Sequence, residues 1–211
     1  IEEKLAQGFS CIKLKIGAID FDKELGLLRF IRQNFDAKTI EIRVDANGAF
    51  NSNEALSKLN QLNEFELHSI EQPIKANQIQ EMKLLCHQTP FPIALDEELI
   101  GVFETEDKRK LLEEIQPQYI ILKPSLVGGF KGTLEWISIA ESLNIGWWIT
   151  SALESNIGLN AITQFTFTLN NPMPQGLGTG GLYTNNFDCP LQIENGHIQY
   201  NVDKQWGISN L

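Results

Sequence analysis

Seven short apolar runs alternate along the chain with segments of helical spacing: CIKLKIG, TIEIRVDAN, HSIEQPI, PIALDEEL, YIILKPSLVGG, GWWITSALES and PQGLGTGG. No other pattern narrows the possible folds as far. Between the runs, FDKELGLLRFIRQNF, SNEALSKLNQLNEF, QIQEMKLLCHQ, DKRKLLEEI and FKGTLEWISIAESLN place apolar residues three and four apart. One strand followed by one helix every roughly 25 to 30 residues is the period of a βα unit, so the chain predicts a parallel sheet. No low-complexity linker interrupts the series, and residues 1–211 read as one domain.

A parallel sheet of this kind closes as a (β/α) barrel or opens as a doubly wound layer. The doubly wound form binds phosphate through a glycine-rich turn after its first strand. Here the glycine-rich stretches, VGGFKG and GLGTGG, follow late runs instead. A barrel gathers residues from many strand ends around one mouth, and Gly and Pro cluster at those ends in VDANG, EQP, KPSLVGG and GLGTGG. The expectation is therefore an α/β chain of the (β/α) barrel type. Only seven strands are found where closure takes eight, so a first strand, and any domain before it, is expected upstream of Ile1.

Strand parity says where the chemistry lies. In CIKLKIG, Cys11, Lys13 and Lys15 point one way while Ile12, Leu14 and Ile16 point the other. The last polar residue on each later run is Asp45, Glu71, Asp96, Lys123 and Ser151, with Ile42 and Val44, Ile93 and Leu95, or Ile120 and Leu122 on the opposite parity. Charges converging on one mouth need partners, because a lone buried charge costs several kcal/mol. Three carboxylates from adjacent strands form a hard oxygen set suited to Mg²⁺, with Mn²⁺ as a substitute, rather than to zinc. An ammonium beside Lys15, such as that of Lys13, disfavours its charged form and moves it toward use as a general base. Proton abstraction next to a carboxylate, with Mg²⁺ on the enediolate, is the chemistry that uses such a set.

The ordered set KLK, RVDAN, SIEQP, LDEE and ILKP resembles the enolase superfamily, within it the muconate-lactonising-type subgroup, over nearly the whole chain. Lys or His bases with Mg²⁺ on the ene-diolate are a known pattern of that superfamily. The resemblance implies Asp45, Glu71 and Asp96 as metal ligands, Lys15 as base, Lys13 as its modulator and Lys123 on the opposite face of the substrate. It also implies a smaller α+β capping domain before the barrel. The GLGTGG ending and TSALES are most similar to the o-succinylbenzoate synthases, lyases of menaquinone biosynthesis, which implies Arg43, Ser151 and Gly178 near a small carboxylate substrate. In that reading Lys15 removes the proton alpha to the carboxylate and protonates the departing hydroxyl, while Lys123 stabilises the enolate. Dipeptide epimerases carry an Asp-x-Asp pair where this chain has Gly178, Thr179 and Gly180, and mandelate-racemase-like enzymes need a His near Ile149 and Ser151. N-succinylamino acid racemisation uses the same two lysines and stands as the alternative.

Each of these residues also has a plainer reading. Lys13 and Lys15 suit an edge strand facing water, Asp45 before Ala46, Asn47 and Gly48 suits an Asx-type turn, and Glu71 before Gln72 and Pro73 suits a turn. Arg43 shares the parity of Asp45 and suits a structural ion pair. His68, His87 and His197, the last in a late hairpin-like segment, read as surface or packing residues, and Trp147 and Trp148 as core. A function of another class, a non-catalytic barrel fragment that acts in assembly, follows if the site is incomplete.

Composition limits the partners. A formal charge of −10 and a pI near 4.8, with no cluster of Lys and Arg, exclude a phosphate-binding surface for nucleic acid or anionic membrane. No run reaches the roughly 18 apolar residues of a membrane span, and IEEKLAQGF is too charged for a signal core. Cys11, Cys86 and Cys189 lie far apart without a CxxC spacing, as expected of a protein from a reducing compartment, here the cytoplasm. The oligomeric state has no signature in the sequence.

Overall fold

A computed structural model describes residues 1–207. The chain divides into two compact units, one made of residues 10–121 and 135–147, the other of residues 1–9, 122–134 and 148–211.

In the first unit, β1 (Cys11–Lys15), β2 (Glu41–Asp45), β3 (Ser69–Glu71), β4 (Ile93–Leu95) and β5 (Tyr119–Leu122) lie side by side in that order, each pair parallel. The start of β6 (Gly146–Ile149) joins beyond β5, where Gly146 N donates to the Gln118 carbonyl at 3.0 Å. Register follows parity. Lys15 stands opposite Asp45 and Asp45 opposite Glu71, so the last residue of each of three strands falls on one row. The outward residues Ile42, Val44, Ile70, Ile93, Leu95 and Ile120 are all fully buried. Each contributes about 1.5–3 kcal/mol from burial, and together they leave little freedom in which face carries the charges.

The intervening helices are α2 (Phe21–Asn34), α3 (Ser52–Leu62), α4 (Ile79–Gln88) and α5 (Thr105–Ile115). Asp20 caps α2 by accepting from Lys23 N at 3.3 Å, and Asn51 caps α3 by accepting from Asn53 N at 3.1 Å. Leu25, Leu28 and Ile31 of α2 and Ala55, Leu59 and Leu62 of α3 form the buried stripes that the spacing predicts. Lys108 of α5, 1% exposed, donates to Glu135 at 2.7 Å and sits 5.6 Å from the Trp136 ring centre, so a buried ammonium keeps both a counter-charge and an aromatic face.

The second unit holds α1 (Glu2–Ala6), the end of β6, α7 (Asn156–Thr168) and a hairpin of β7 (Leu191–Glu194) with β8 (His197–Tyr200). Asn195 and Gly196 both have positive φ, as a two-residue hairpin turn requires. Gly196 N donates to the Gln7 carbonyl at 2.7 Å, and a Cβ on Gly8 would stand 2.5 Å from the Asn195 carbonyl carbon, so only glycine allows that approach. α6 (Gly129–Ser142) runs through both segments of the division.

Two elements differ from the sequence reading. PQGLGTGG forms no strand: Gly176 makes a single parallel bridge with Thr150, and the chain turns from Gly178 to Gly181. With four glycines and no alternating β-branched residues, the run has little side-chain packing to hold a ladder. α7 carries no charge to mark a polar face, and its Thr and Phe residues dilute the helical signal, yet it buries Leu159, Ile162 and Thr166. Among the described residues no helix is long and apolar enough to cross a membrane.

Candidate active site

The charged row at the carboxyl ends of β1 to β3 is joined by hydrogen bonds. Lys13 Nζ donates to Asp45 Oδ2 at 2.8 Å and to Glu71 Oε2 at 2.7 Å, and so bridges β2 and β3. Lys15 Nζ donates to the same Asp45 Oδ2 and to Asn47 Oδ1, both at 2.5 Å. Asp45 is fully buried, whereas the Lys15 side chain is 60% exposed. A carboxylate held this way serves two ends: Asp45 Oδ1 accepts from Asn47 N at 2.9 Å, the Asx turn suggested by its sequence, while Oδ2 takes both lysines.

Electrostatics separates the members of this row. Burial works against the Asp45 charge, but the Lys13 and Lys15 ammonium groups outweigh it and hold the carboxyl below its ordinary value. Glu71 has the opposite balance. Its burial, together with the Asp45 and Asp96 charges, overcomes Lys13 and pushes the carboxyl up to about 8. Burial likewise disfavours the Lys13 ammonium, yet Glu71 and Asp45 raise its pKa above the ordinary value. Glu71 Oε1 is buried without a hydrogen-bond partner, which in a carboxylate of this cost marks a place where a ligand oxygen or cation belongs.

Asp96, 2% exposed, follows β4 and opens a short 3₁₀ turn, Glu97–Leu99. Gln72 reaches it: Oε1 accepts from Asp96 N at 3.2 Å and from Glu98 N at 3.4 Å, and Nε2 donates to Glu98 Oε2 at 3.0 Å. Asn47 Nδ2 donates to Glu97 Oε1 at 2.8 Å. Gln72 and Asn47 were absent from the sequence-predicted site. Their only available signal was position, one residue after Glu71 and two after Asp45.

Arg43 is buried on β2 and donates through Nε to Glu41 Oε1 at 2.8 Å, toward the amino end of the strand and away from the row of charges. The nearby ionisable groups Cys11 and His68 show the effect of burial. It pushes the Cys11 thiol up to about 12 and lowers the His68 imidazole, whose ring lies 5.0 Å from that of Tyr119. His87 is exposed on α4, and Trp147 and Trp148 are core residues.

The remaining predicted residues lie in the second unit. Lys123 directly follows β5 and is half-buried, and its carbonyl accepts from Leu126 N at 2.8 Å. Ser151 is buried. Its Oγ accepts from Leu153 N at 2.8 Å and from Thr179 Oγ1 at 2.9 Å. Glu154, which the sequence reading did not single out, accepts from Ser125 Oγ and from Ala152 N. These bonds tie the segment after Lys123 to the segment of Ser151. Gly178 is exposed, and a Cβ there would meet the Phe9 ring at an ordinary 3.7 Å.

Among the described residues no three His, Cys, Asp or Glu side chains are gathered closely enough to enclose a metal ion. Lys13 stands between Asp45 and Glu71 and donates to both. Their chemistry nevertheless fits a hard dication: buried carboxylates from three neighbouring strands, one with an unpartnered oxygen.

The chain belongs to the family described as Enolase C-terminal domain-like, which matches residues 1–209. It is 57% identical over 196 residues to the o-succinylbenzoate synthase of Desulfotalea psychrophila, a match covering 93% of this chain and 53% of that protein. A crystal structure of MenC from Desulfotalea psychrophila LSv54 superposes with a TM-score of 0.89 at 55% identity, over 93% of this chain and 54% of that one. The N-succinylamino acid racemase of Thermus thermophilus is 34% identical over 158 residues, 75% of this chain and 40% of that protein. The chain thus spans about half the length of the relatives it matches.

Proposed function

We propose that the protein is a Mg²⁺-dependent carbon–oxygen lyase that dehydrates 2-succinyl-6-hydroxy-2,4-cyclohexadiene-1-carboxylate to o-succinylbenzoate. The observation that carries this reading is the 57% identity to an o-succinylbenzoate synthase over 93% of this chain, and the Lys13, Lys15, Asp45 and Glu71 cluster supports it. As parts of this reading, residues 1–211 belong to one barrel domain and Ser151 and Gly178 contribute to the substrate side of the site, while Arg43, expected there from the sequence, is bonded to Glu41 at the amino end of β2 and takes the structural ion-pair role instead.

Asp45, Glu71 and Asp96 would hold the metal ion, which supplies positive charge to the substrate carboxylate as the enediolate forms. Lys15 Nζ takes the proton alpha to that carboxylate. The electron pair freed from the C–H bond moves into the ring and expels the hydroxyl on the neighbouring carbon, which leaves as water with the proton returned by Lys15. The ring gains its third double bond, and no oxidant is consumed. As an unprotonated amine Lys15 accepts the proton through its lone pair, while its N–H groups can go on donating to Asp45 and Asn47. The 60% exposure of Lys15 leaves that lone pair accessible, whereas Lys13 is held by two carboxyl groups and keeps the Asp45–Glu71 pair compensated. Lys123 stabilises the anion as an ammonium donor.

Loss of the cyclohexadiene substrate in the presence of the full-length protein and Mg²⁺ tests the activity, and Lys15→Ala and Lys123→Ala test the roles. Turnover that survives both substitutions would overturn the assignment. The second reading, racemisation of N-succinylamino acids, is favoured by the 34% identity to such a racemase. Deuterium from solvent appearing at the alpha carbon of an N-succinylamino acid would establish it, because dehydration returns no proton to that carbon. Thermal stabilisation by Mg²⁺ separates either enzyme from a metal-free assembly protein.

A further inference from the structure

We propose that Gln72 is a positioning residue for the metal site, acting through the backbone of Asp96. The inference rests on the reading of Asp96 as a metal ligand and adds a residue that neither the sequence pattern nor the comparisons assign.

Gln72 is fully buried and has φ of +39°, a left-handed backbone in a residue that is not glycine. Such a conformation persists only where the surroundings over-determine it, and it clusters at functional sites. The surroundings here are unusually complete. The backbone N donates to the Ala94 carbonyl at 2.9 Å, and the backbone carbonyl accepts from Gly48 N at 2.7 Å. The side-chain amide makes four bonds, to Asp96 N at 3.2 Å, Glu98 N at 3.4 Å, Glu98 Oε2 at 3.0 Å and the Ile74 carbonyl at 3.0 Å. Glu98 is anchored in turn, because its Oε1 accepts from Asn77 N at 2.8 Å.

The direction of these bonds matters more than their number. Asp96 has φ of −125° and ψ of −75°, outside strand and helix, just past the end of β4. Gln72, adjacent to Glu71, helps fix it there by accepting from Asp96 N. The turn therefore receives tethers from residues that follow the other two carboxylates, Gln72 after Glu71 and Asn47 after Asp45. A movement of Gln72 changes the spacing between two carboxylates on neighbouring strands, and partners that orient ligands typically contribute about 10- to 100-fold to metal affinity.

The experiment measures Mg²⁺ affinity by calorimetry on the full-length protein without substrate, at a temperature where each variant is folded by near-ultraviolet circular dichroism. Gln72→Met keeps the volume and removes all four side-chain bonds, and its Mg²⁺ affinity is expected to fall by about 10- to 100-fold. Gln72→Glu keeps the acceptor for Asp96 N and is expected to lose less. A residue that only supports the fold would lower the unfolding midpoint and leave the affinity of the folded protein unchanged, so a Gln72→Met affinity within about two-fold of the parent overturns the proposal. Should Gln72→Met fail to fold, Glu98→Gln decides the point. It breaks one arm of the same clasp, and an unchanged affinity is again the negative result. Asp96→Asn serves as the separate control: if it binds Mg²⁺ as the parent does, or the parent binds none, the ligand reading fails and the clasp with it. If Asp96→Asn abolishes binding and Gln72→Met does not weaken it, only the clasp fails.

Discussion

The two units hold polar residues at their strand ends by different means. On β1 to β3 the groups are ionisable, two lysines against two buried carboxyl groups, with Asp45 Oδ2 shared between Lys13 and Lys15. Around Ser151 the groups are hydroxyls and backbone amides, gathered by the single carboxylate of Glu154 and by the Thr179 to Ser151 bond. The difference lies in what each arrangement does when one member is removed. A charge cluster left unbalanced becomes costly and reactive, whereas a hydroxyl network loses one bond and closes up. The first arrangement suits bond-making, and the second suits shaping a surface for a ligand.

The largest effect is expected at the charge cluster's exposed member. Lys15→Ala should reduce turnover of the proposed reaction by about 10²- to 10⁴-fold, the usual contribution of a positioned general base. The fold should be nearly undisturbed, because the side chain is 60% exposed. Initial-rate assays of the full-length protein check this. A variant that keeps more than a tenth of the activity would remove Lys15 from the role of base.

Lys13→Met is the next test. It leaves Asp45 and Glu71 buried side by side without the ammonium that bridges them. Breaking one partner of a buried pair costs about 3–5 kcal/mol, which the 36% exposure of Lys13 discounts to about 2 kcal/mol. Urea denaturation of the metal-free protein should show it as a lower midpoint at constant slope. An unchanged midpoint would mean that solvent already compensates the two carboxylates, and the contrast between the units would weaken accordingly.

How much of this was legible before the structure depends on which physical signal each residue carries. Parity was readable because the strands bury one face completely: Ile42, Val44, Ile93 and Leu95 force Asp45 and Asp96 to the other side, and the register of Lys15, Asp45 and Glu71 follows. The five helices with charged outer faces were readable for the same reason. Gln72 was not, since an amide between Glu71 and Pro73 has the composition of a turn, and only three dimensions show that it bonds 24 and 26 residues ahead. Glu154 was hidden in the same way within the TSALES run, where Ser151 alone carried the expected chemistry. GLGTGG misled in the other direction: its position in the repeat asked for a strand, and its glycines supplied no packing to make one.

Within the hydroxyl network a smaller loss is expected. Glu154→Gln keeps an acceptor for Ser125 and Ala152 but removes the charge that strengthens both bonds, a difference of about 1 kcal/mol. Were Glu154 to behave like the charge cluster, the loss would be about 3 kcal/mol or more. Chemical denaturation distinguishes the two values, and a large loss would erase the distinction between the units.

The smallest effect separates the two ends of the same strands. His68, just before β3, packs on Tyr119 and contacts Ser69 Oγ at 3.0 Å, with Glu41 and Arg43 as its charged neighbours. Burial and then Arg43 lower its pKa, against the pull of Glu41, so the folded protein holds it neutral where the unfolded chain at 6.5 begins to bind a proton. The sign follows from linkage: the contribution is complete above pH 6.5 and is lost as the pH falls from there toward the depressed folded value. The slope from this one group cannot exceed about 1.4 kcal/mol per pH unit. Comparing urea midpoints at pH 7 and at pH 5.5 for the parent and for His68→Phe, which keeps an aromatic ring against Tyr119, isolates it. The parent should lose more stability on acidification than the variant. Equal losses would assign the whole acid response to other groups and leave the amino ends of the strands electrostatically silent.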